Sequence, residues 1–203
     1  MTAAATDDAW METCLIAISK IGGSDMQFAG ITETIDMDIG EKGIEGVPIL
    51  NGGRVAKWAP EGDSTITFEA YPLEAGTDSG TTGHGFFDLM HSADNSVPIR
   101  ILNDRNRDKY RVLFLWTNDS TVTTAQSATT NTYSAIRIGF ADGYFTSVKP
   151  SFTDGILKFT ITFKCTAFDK SANANVLAES CAGASESDVL PAISSYTSSY
   201  KFA

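Results

Sequence analysis

Residues 64–76, STITFEAYPLEAG, alternate apolar and polar positions until a proline and a glycine break the pattern. On an extended chain Ile66, Phe68 and Ala70 point one way, and Thr65, Thr67, Glu69 and Tyr71 point the other. A strand with one apolar and one wet face is ordinary in an antiparallel sheet, and its wet face looks either at bulk water or into a pore. The same period runs through FAGITETIDMDIG (28–40), setting Ile31, Ile35, Met37 and Ile39 against Thr32, Thr34, Asp36 and Asp38. TCLIAISKI (13–21) is another strand-like run, ending at GGSD. PIRILNDRNRDKYRVLFLWTND (98–119) predicts a hairpin with its polar turn near Asn103–Asp108. YSAIRIGFADGYFTSV (133–148) and GILKFTITFKCTAF (155–168) form the last long pair, joined by the turn KPSFTDG.

One segment departs from this period. HGFFDLMHS (84–92) spaces Phe86, Leu89 and Met90 at helical intervals, which predicts a short amphipathic α-helix laid across a sheet. DSTVTTAQSATTNT (119–132) and the Ser/Ala-rich tail from Ala178 read as loops or edge extensions. With no internal repeat and no obvious linker, the expectation is a single mainly β domain over residues 1–203 with one flanking helix. The connection EKGIEGVPILNGGRVAKWAPEGD (41–63) is anomalous. It clusters Val47, Pro48, Ile49, Leu50, Val55 and Trp58 in a stretch too rich in glycine and proline for a simple strand. Those side chains either form an association site or fold back on their own domain.

The chain has 203 residues, of which 42% are apolar and 10% aromatic, enough for a substantial core. Its net charge of −10 argues against a general nucleic-acid binder. The charge is divided: residues 1–97 carry 16 acids and 4 bases (−12), and residues 98–203 carry 9 acids and 11 bases (+2). Such a split suits head-to-tail association, and a folded monomer can carry it too. Cys14, Cys165 and Cys181 are too few for a disulfide framework, and the first and second lie in alternating runs that suit small buried hydrophobes. The N-terminus MTAAATDDAW carries acids where a secretory signal carries bases, and CLIAI is too short to span a membrane, so a soluble chain made in a reducing cytosol is expected.

Candidate chemistry adds little. His84 and His91 lie two helical turns apart with only Asp88 between them, which falls short of a metal site. GTTGHG (80–85) lacks the lysine and the strand–loop–helix setting of a phosphate loop. RNRDKYR puts Arg105, Arg107, Lys109 and Arg111 on one strand face, but Asp104 and Asp108 share the turn, favouring a solvated tip or a salt-bridged subunit contact over a phosphate stripe. No nucleophile elbow, carboxylate pair or cysteine–histidine pair has supporting context, so neither an enzyme nor a cofactor is expected.

Taken in order, FAGITETIDMDIGEKGIEGVP, ILNGGRVAKW, STITFEAYPLEAG, GFFDLM, KYRVLFLW and GYFTSVKPSFTDGILKFTITFKCTAF resemble the major tail tube proteins of tailed viruses of bacteria or archaea, with their relatives in contractile injection machines. The resemblance covers about residues 13–168. It implies a β-sandwich or split barrel flanked by a helix, six copies of which form a ring around a shared inner barrel. Rings stack into a tube through which the genome passes, and the protein belongs to the virion tail, assembled in the host cytoplasm. Partners implied are tape-measure, baseplate or tip and terminator proteins, with a sheath in contractile tails. By position the barrel strands are 28–40 with 64–75, and 140–149 with 156–167, while Val47, Pro48, Ile49, Leu50, Val55 and Trp58 sit on a loop reaching the next ring. Thr32, Thr34, Asp36, Asp38, Thr65, Thr67 and Glu69 then line the lumen as a wetted, acidic, non-adhesive wall past which double-stranded DNA slides. Lys158 and Lys164 complicate this wall: either the lumen is patchy or their face points outward. The alternatives are a surface adhesin or carbohydrate-binding β-sandwich, and a baseplate, terminator or injection-machine tube protein.

Overall fold

The computed structural model describes residues 13–21, 25–28, 34–40, 44–48, 54–58, 62–70, 89–90, 108–127, 134–169, 171–182, 190 and 193. Its strands are β1 (Thr13–Lys20), β2 (Asp25–Phe28), β3 (Ile35–Asp38), β4 (Ile44–Pro48), β5 (Arg54–Trp58), β6 (Ser64–Ala70), β7 (Tyr110–Thr117), β8 (Ser134–Thr153), β9 (Ile156–Cys165) and β10 (Val176–Ala182). The fold is mainly β, in one eight-stranded antiparallel sheet of order β2-β1-β7-β8-β9-β6-β3, with β10 added on β8 and β4-β5 as a separate hairpin.

The 20-residue strand β8 organises this sheet. Its first half lies between β7 and β10, since Phe140 pairs with both Val112 and Val176. Beyond Gly143, which pairs with both Tyr110 and Cys165, its partner is β9. Register shifts between Tyr110 and Val112 and between Phe145 and Ser147 fall at this changeover, where bulges bend and twist a strand. Gly143 is required there. A Cβ on it would lie 2.4 Å from the Lys164 carbonyl oxygen and 2.4 Å from Phe163 Cζ.

The main core unites both parts of the sheet: Ile16 and Ile18 of β1, Tyr110, Val112 and Phe114 of β7, Ile66 and Phe68 of β6, and Phe159, Ile161 and Phe163 of β9. Its rings meet edge to face, with centroids 5.6 Å apart for Phe68–Phe114 and 5.1 Å for Phe145–Phe163, the arrangement aromatic quadrupoles favour. Burial pushes the Cys165 thiol up to about 12, so it packs as a hydrophobe. A second cluster covers the opposite face of β1 and β7, where Leu15, Ala17, Leu113 and Leu115 meet Ala125, Cys181, Leu190 and Ile193. Burial on both faces explains the unbroken apolar runs CLIAI and VLFLW.

Several expectations change. The turn assigned to KPSFTDG is only Asp154–Gly155, both at positive φ (55° and 78°), and Lys149–Thr153 continue β8. Two such residues form the tight hairpin turn whose twist matches its strands, and Pro150 is tolerated because β8 is an edge strand here. The 41–63 connection contains a hairpin rather than only loop, with Val47 opposite Val55 and Ile44 opposite Trp58. The tail supplies strand β10 and the buried Leu190 and Ile193. Within 119–132, Ala125 is fully buried against the sheet. Ile39 was expected in the core and is instead 57% exposed, because β3 ends at Asp38 and Gly40 turns the chain at φ 83°. Arg111 is buried and donates to the Ala141 carbonyl (3.0 Å), so it is not part of a solvated hairpin tip. Of the expected helix only Leu89, buried in the main core, and Met90 are described. His84, His91, Arg105, Arg107 and the first arm of the 98–119 hairpin lie outside the described residues.

Candidate functional site

The alternation in β3, β6 and β9 builds a four-stranded antiparallel sheet with β8 in which one face is core and the other is wet. Residues of the wet face fall in rows. Asp38, Thr65, Lys164 and Tyr144 form one row, and Asp36, Thr67, Thr162 and Ser147 the next. Glu69, Thr160 and Lys149 form the third, and the Glu69 amide donates to the Thr34 carbonyl at 3.2 Å. Cross-strand contacts run both within a row and between neighbouring rows. The Thr67 and Thr162 hydroxyls are 3.3 Å apart, and Lys158 Nζ donates to Glu69 Oε2 at 3.1 Å.

Of the seven expected wall residues, Asp36, Asp38, Thr65, Thr67 and Glu69 lie on the adjoining strands β3 and β6, and Thr34 immediately precedes β3; Thr32 lies outside the described residues. Lys158 and Lys164 share that face. The face therefore carries Asp36, Asp38 and Glu69 against Lys149, Lys158 and Lys164, an equal number of acids and bases rather than an acidic surface. The charges are ordered across the sheet, with the aspartates on β3 at one margin and Lys149 on β8 at the other. Lys149 was not picked out from the sequence, because the turn assigned to residues 149–155 hid its place in the strand.

Both margins are open among the described residues: β3 pairs only with β6, and residues 144–153 of β8 pair only with β9. Pro48 is exposed at the end of β4 and Val47, Val55 and Trp58 stand on the β4–β5 hairpin, while Ile49 and Leu50 lie outside the described residues. The chain leaves and re-enters the sheet at a narrow neck, where a Cβ on Gly40 would lie 2.8 Å from the Gly62 carbonyl oxygen.

At the β6 start of the sheet, Lys109 bonds Asp142 (2.7 Å) and lies 5.7 Å from the Tyr144 ring centre, and the Asp142 hydrogen bond raises the lysine's pKa. Hydrogen bonds from Asn173 and Ser171 lower that of Asp169. Other charged contacts among the described residues lie outside the wet face. Lys20 pairs with Asp108, and Arg137, fully buried, pairs with Glu179 and donates to the carbonyls of Ala125 and Ser127. Among the described residues, no group of three or more His, Cys, Asp or Glu is placed to hold a metal ion.

No family model matches the sequence, and no curated protein matches it. Among solved structures, the chain is similar to one from the sheath–tube complex of an extracellular contractile injection system, PVC, in its extended state: 15% identity over 88% of this chain and 99% of the other, TM-score 0.49. A chain of the sheath/tube terminator of the same system matches at 15% identity over 83% and 94%, TM-score 0.48. One from the tube-terminating cap of the anti-feeding prophage matches at 10% identity over 81% and 87%, TM-score 0.47.

Proposed function

We propose that this chain is a tail tube subunit: six copies close into a ring, rings stack into a tube, and the bore conducts double-stranded DNA from a tailed virus into its host. The observation that carries the reading is the pair of open margins on the β8-β9-β6-β3 sheet. Strand direction alternates across it, so β3 of one copy against β8 of the next continues the antiparallel order. The β3 margin brings Asp36 and Asp38, and the β8 margin brings Lys149, so the joint is favourable in charge as well as in hydrogen bonding. Closing the ring removes both exposed edges at once.

Six copies of four strands give about two dozen, wider than barrels of about 16–18 strands that already hold a water channel. The wet face then lines the bore. Threonine hydroxyls and balanced charges hydrate it without offering the phosphates a basic bed, so DNA passes without the counterion release that would hold it. The role is structural and non-enzymatic, in the virion tail, with assembly in the host cytoplasm. Tape-measure, tip and terminator proteins are its partners, and a sheath is a further one if the tail contracts. Negative-stain microscopy of the concentrated protein, alone and with tail-tip components, tests this reading. Hollow tubes or six-fold rings are expected, and monodisperse monomers in both samples would overturn it.

A further inference from the structure

We infer that rings of this chain stack through the two ends of the same four-stranded sheet, the β8–β9 tip of one copy seating on the Ile39–Tyr144 end of a copy in the next ring. Among the described residues, the large apolar side chains that stand in solvent are Ile39, Tyr144, Phe152, Ile156, Leu157 and Phe168. Within the β8-β9-β6-β3 part of the sheet none lies between the end rows, although β8 itself runs on past Tyr144 to pair with β7. Phe152 (72% exposed), Ile156 (54%) and Leu157 flank the Asp154–Gly155 turn. Ile39 follows the last residue of β3, Tyr144 stands in the row of Asp38, Thr65 and Lys164, and Phe168 lies three residues past β9. The 10 residues of β9 separate the two groups by about 30 Å.

Two apolar groups at opposite ends of one sheet are what a self-stacking molecule needs, whereas a single foreign partner accounts for only one of them. The contact is heterologous, one end against the other, so it repeats without closing and generates a filament of rings. Strands of a closed barrel tilt but keep their ends at its two rims, which puts both groups where successive rings meet. The tip is also built to hold its shape, since the turn is two residues long and β8 and β9 stay paired from Gly143–Cys165 to Thr153–Ile156. This assignment rests on the ring reading above. It places the stacking contact on the sheet ends independently of the β4–β5 hairpin.

The test has two arms. Phe152→Ser with Ile156→Ser changes exposed positions, so the subunit should keep its circular dichroism and still form rings of wild-type mass. Stacks of rings should become at least tenfold rarer by microscopy, and stacks as frequent as in the wild type would overturn the assignment. In the second arm, Phe152→Cys protein is mixed with Ile39→Cys protein and treated with a short bis-maleimide. Linked pairs joining positions 152 and 39 should exceed those in either protein alone, and in the wild type with its native cysteines, by at least tenfold. No excess in the mixture would overturn the proposal even if the serine variant failed to fold. Wild-type protein that never forms rings would instead count against the tube reading itself.

Discussion

Two residues make the fold exacting at the level of single atoms. Gly143 sits where β8 changes partners, and the nearest obstacle to a side chain there is the Lys164 backbone, which cannot step aside. Gly143→Ala is expected to cost about 1–3 kcal/mol by overpacking, read as a lower urea midpoint. Gly62→Ala is the matched control, because nothing lies within 4 Å of its added Cβ, and its midpoint should barely move. Arg137 is the second. Its guanidinium has no exposure, pairs with Glu179 of β10, and donates to the loop carbonyls of Ala125 and Ser127. It thereby fastens the C-terminal strand and the 119–127 loop to β8 from one point. Arg137→Ala should cost about 3 kcal/mol, the lower end for a broken buried pair, because Glu179 keeps 15% of its side chain in water. Arg137→Met with Glu179→Leu should recover part of that loss, and the two abandoned carbonyls should prevent full recovery. Equal midpoints for the single and double variants would show that leaving Glu179 unpaired carries no penalty.

At the scale of elements, what the sequence made legible follows from how completely each strand obeys its period. Ser64–Ala70 and residues 158–165 of β9 alternate strictly because one face is core and the other water, so Thr65, Thr67 and Glu69 could be placed on one surface by counting. The pairing of β3 with β6, and of β6 with β9, is a tertiary fact, and no local period encodes it. Where elements end, the reading failed. Ile39 keeps the spacing of Ile35 and Met37 but lies past the last paired residue, so the period that buries its neighbours leaves it in solvent. Pro150 suggested a turn, yet a proline interrupts only a strand that needs its N–H, and the edge position spares β8 that need. The tail disguised itself by composition. Leu190 and Ile193 are sparse among serine and alanine, but sealing the outer face of β1 and β7 takes only a few apolar contacts. Arg137 was missed because a buried charge in an apolar run has no sequence signal apart from its partner, which comes 42 residues later.

At the scale of the whole molecule, the question is whether the ordered charges of the wet face serve ring closure. Asp36 and Asp38 stand on one margin of the sheet and Lys149 on the other, so every seam of a closed ring would bring opposite signs together. Exposed pairs of this kind contribute about 0.2–1 kcal/mol each, too little to hold a subunit together. Reversing one margin replaces attraction by repulsion at every seam, and like charges opposed across an interface are a strong block on association. Asp36→Lys with Asp38→Lys should therefore leave a folded monomer that fails to form rings at low ionic strength. Salt should partly restore assembly, because these groups are wetted and the screening length falls to about 3 Å at 1 M. Adding Lys149→Glu to the same chain restores opposite signs across the seam and should recover rings without salt. Mass measurements across a salt series check all three variants against the wild type. Recovery by the third substitution separates charge pairing from a general loss of solubility, since it lowers the net charge without restoring either aspartate. Rings that form equally well in the double-lysine variant would mean that β3 and β8 do not meet, and the closing seam would have to lie on another edge of the sheet.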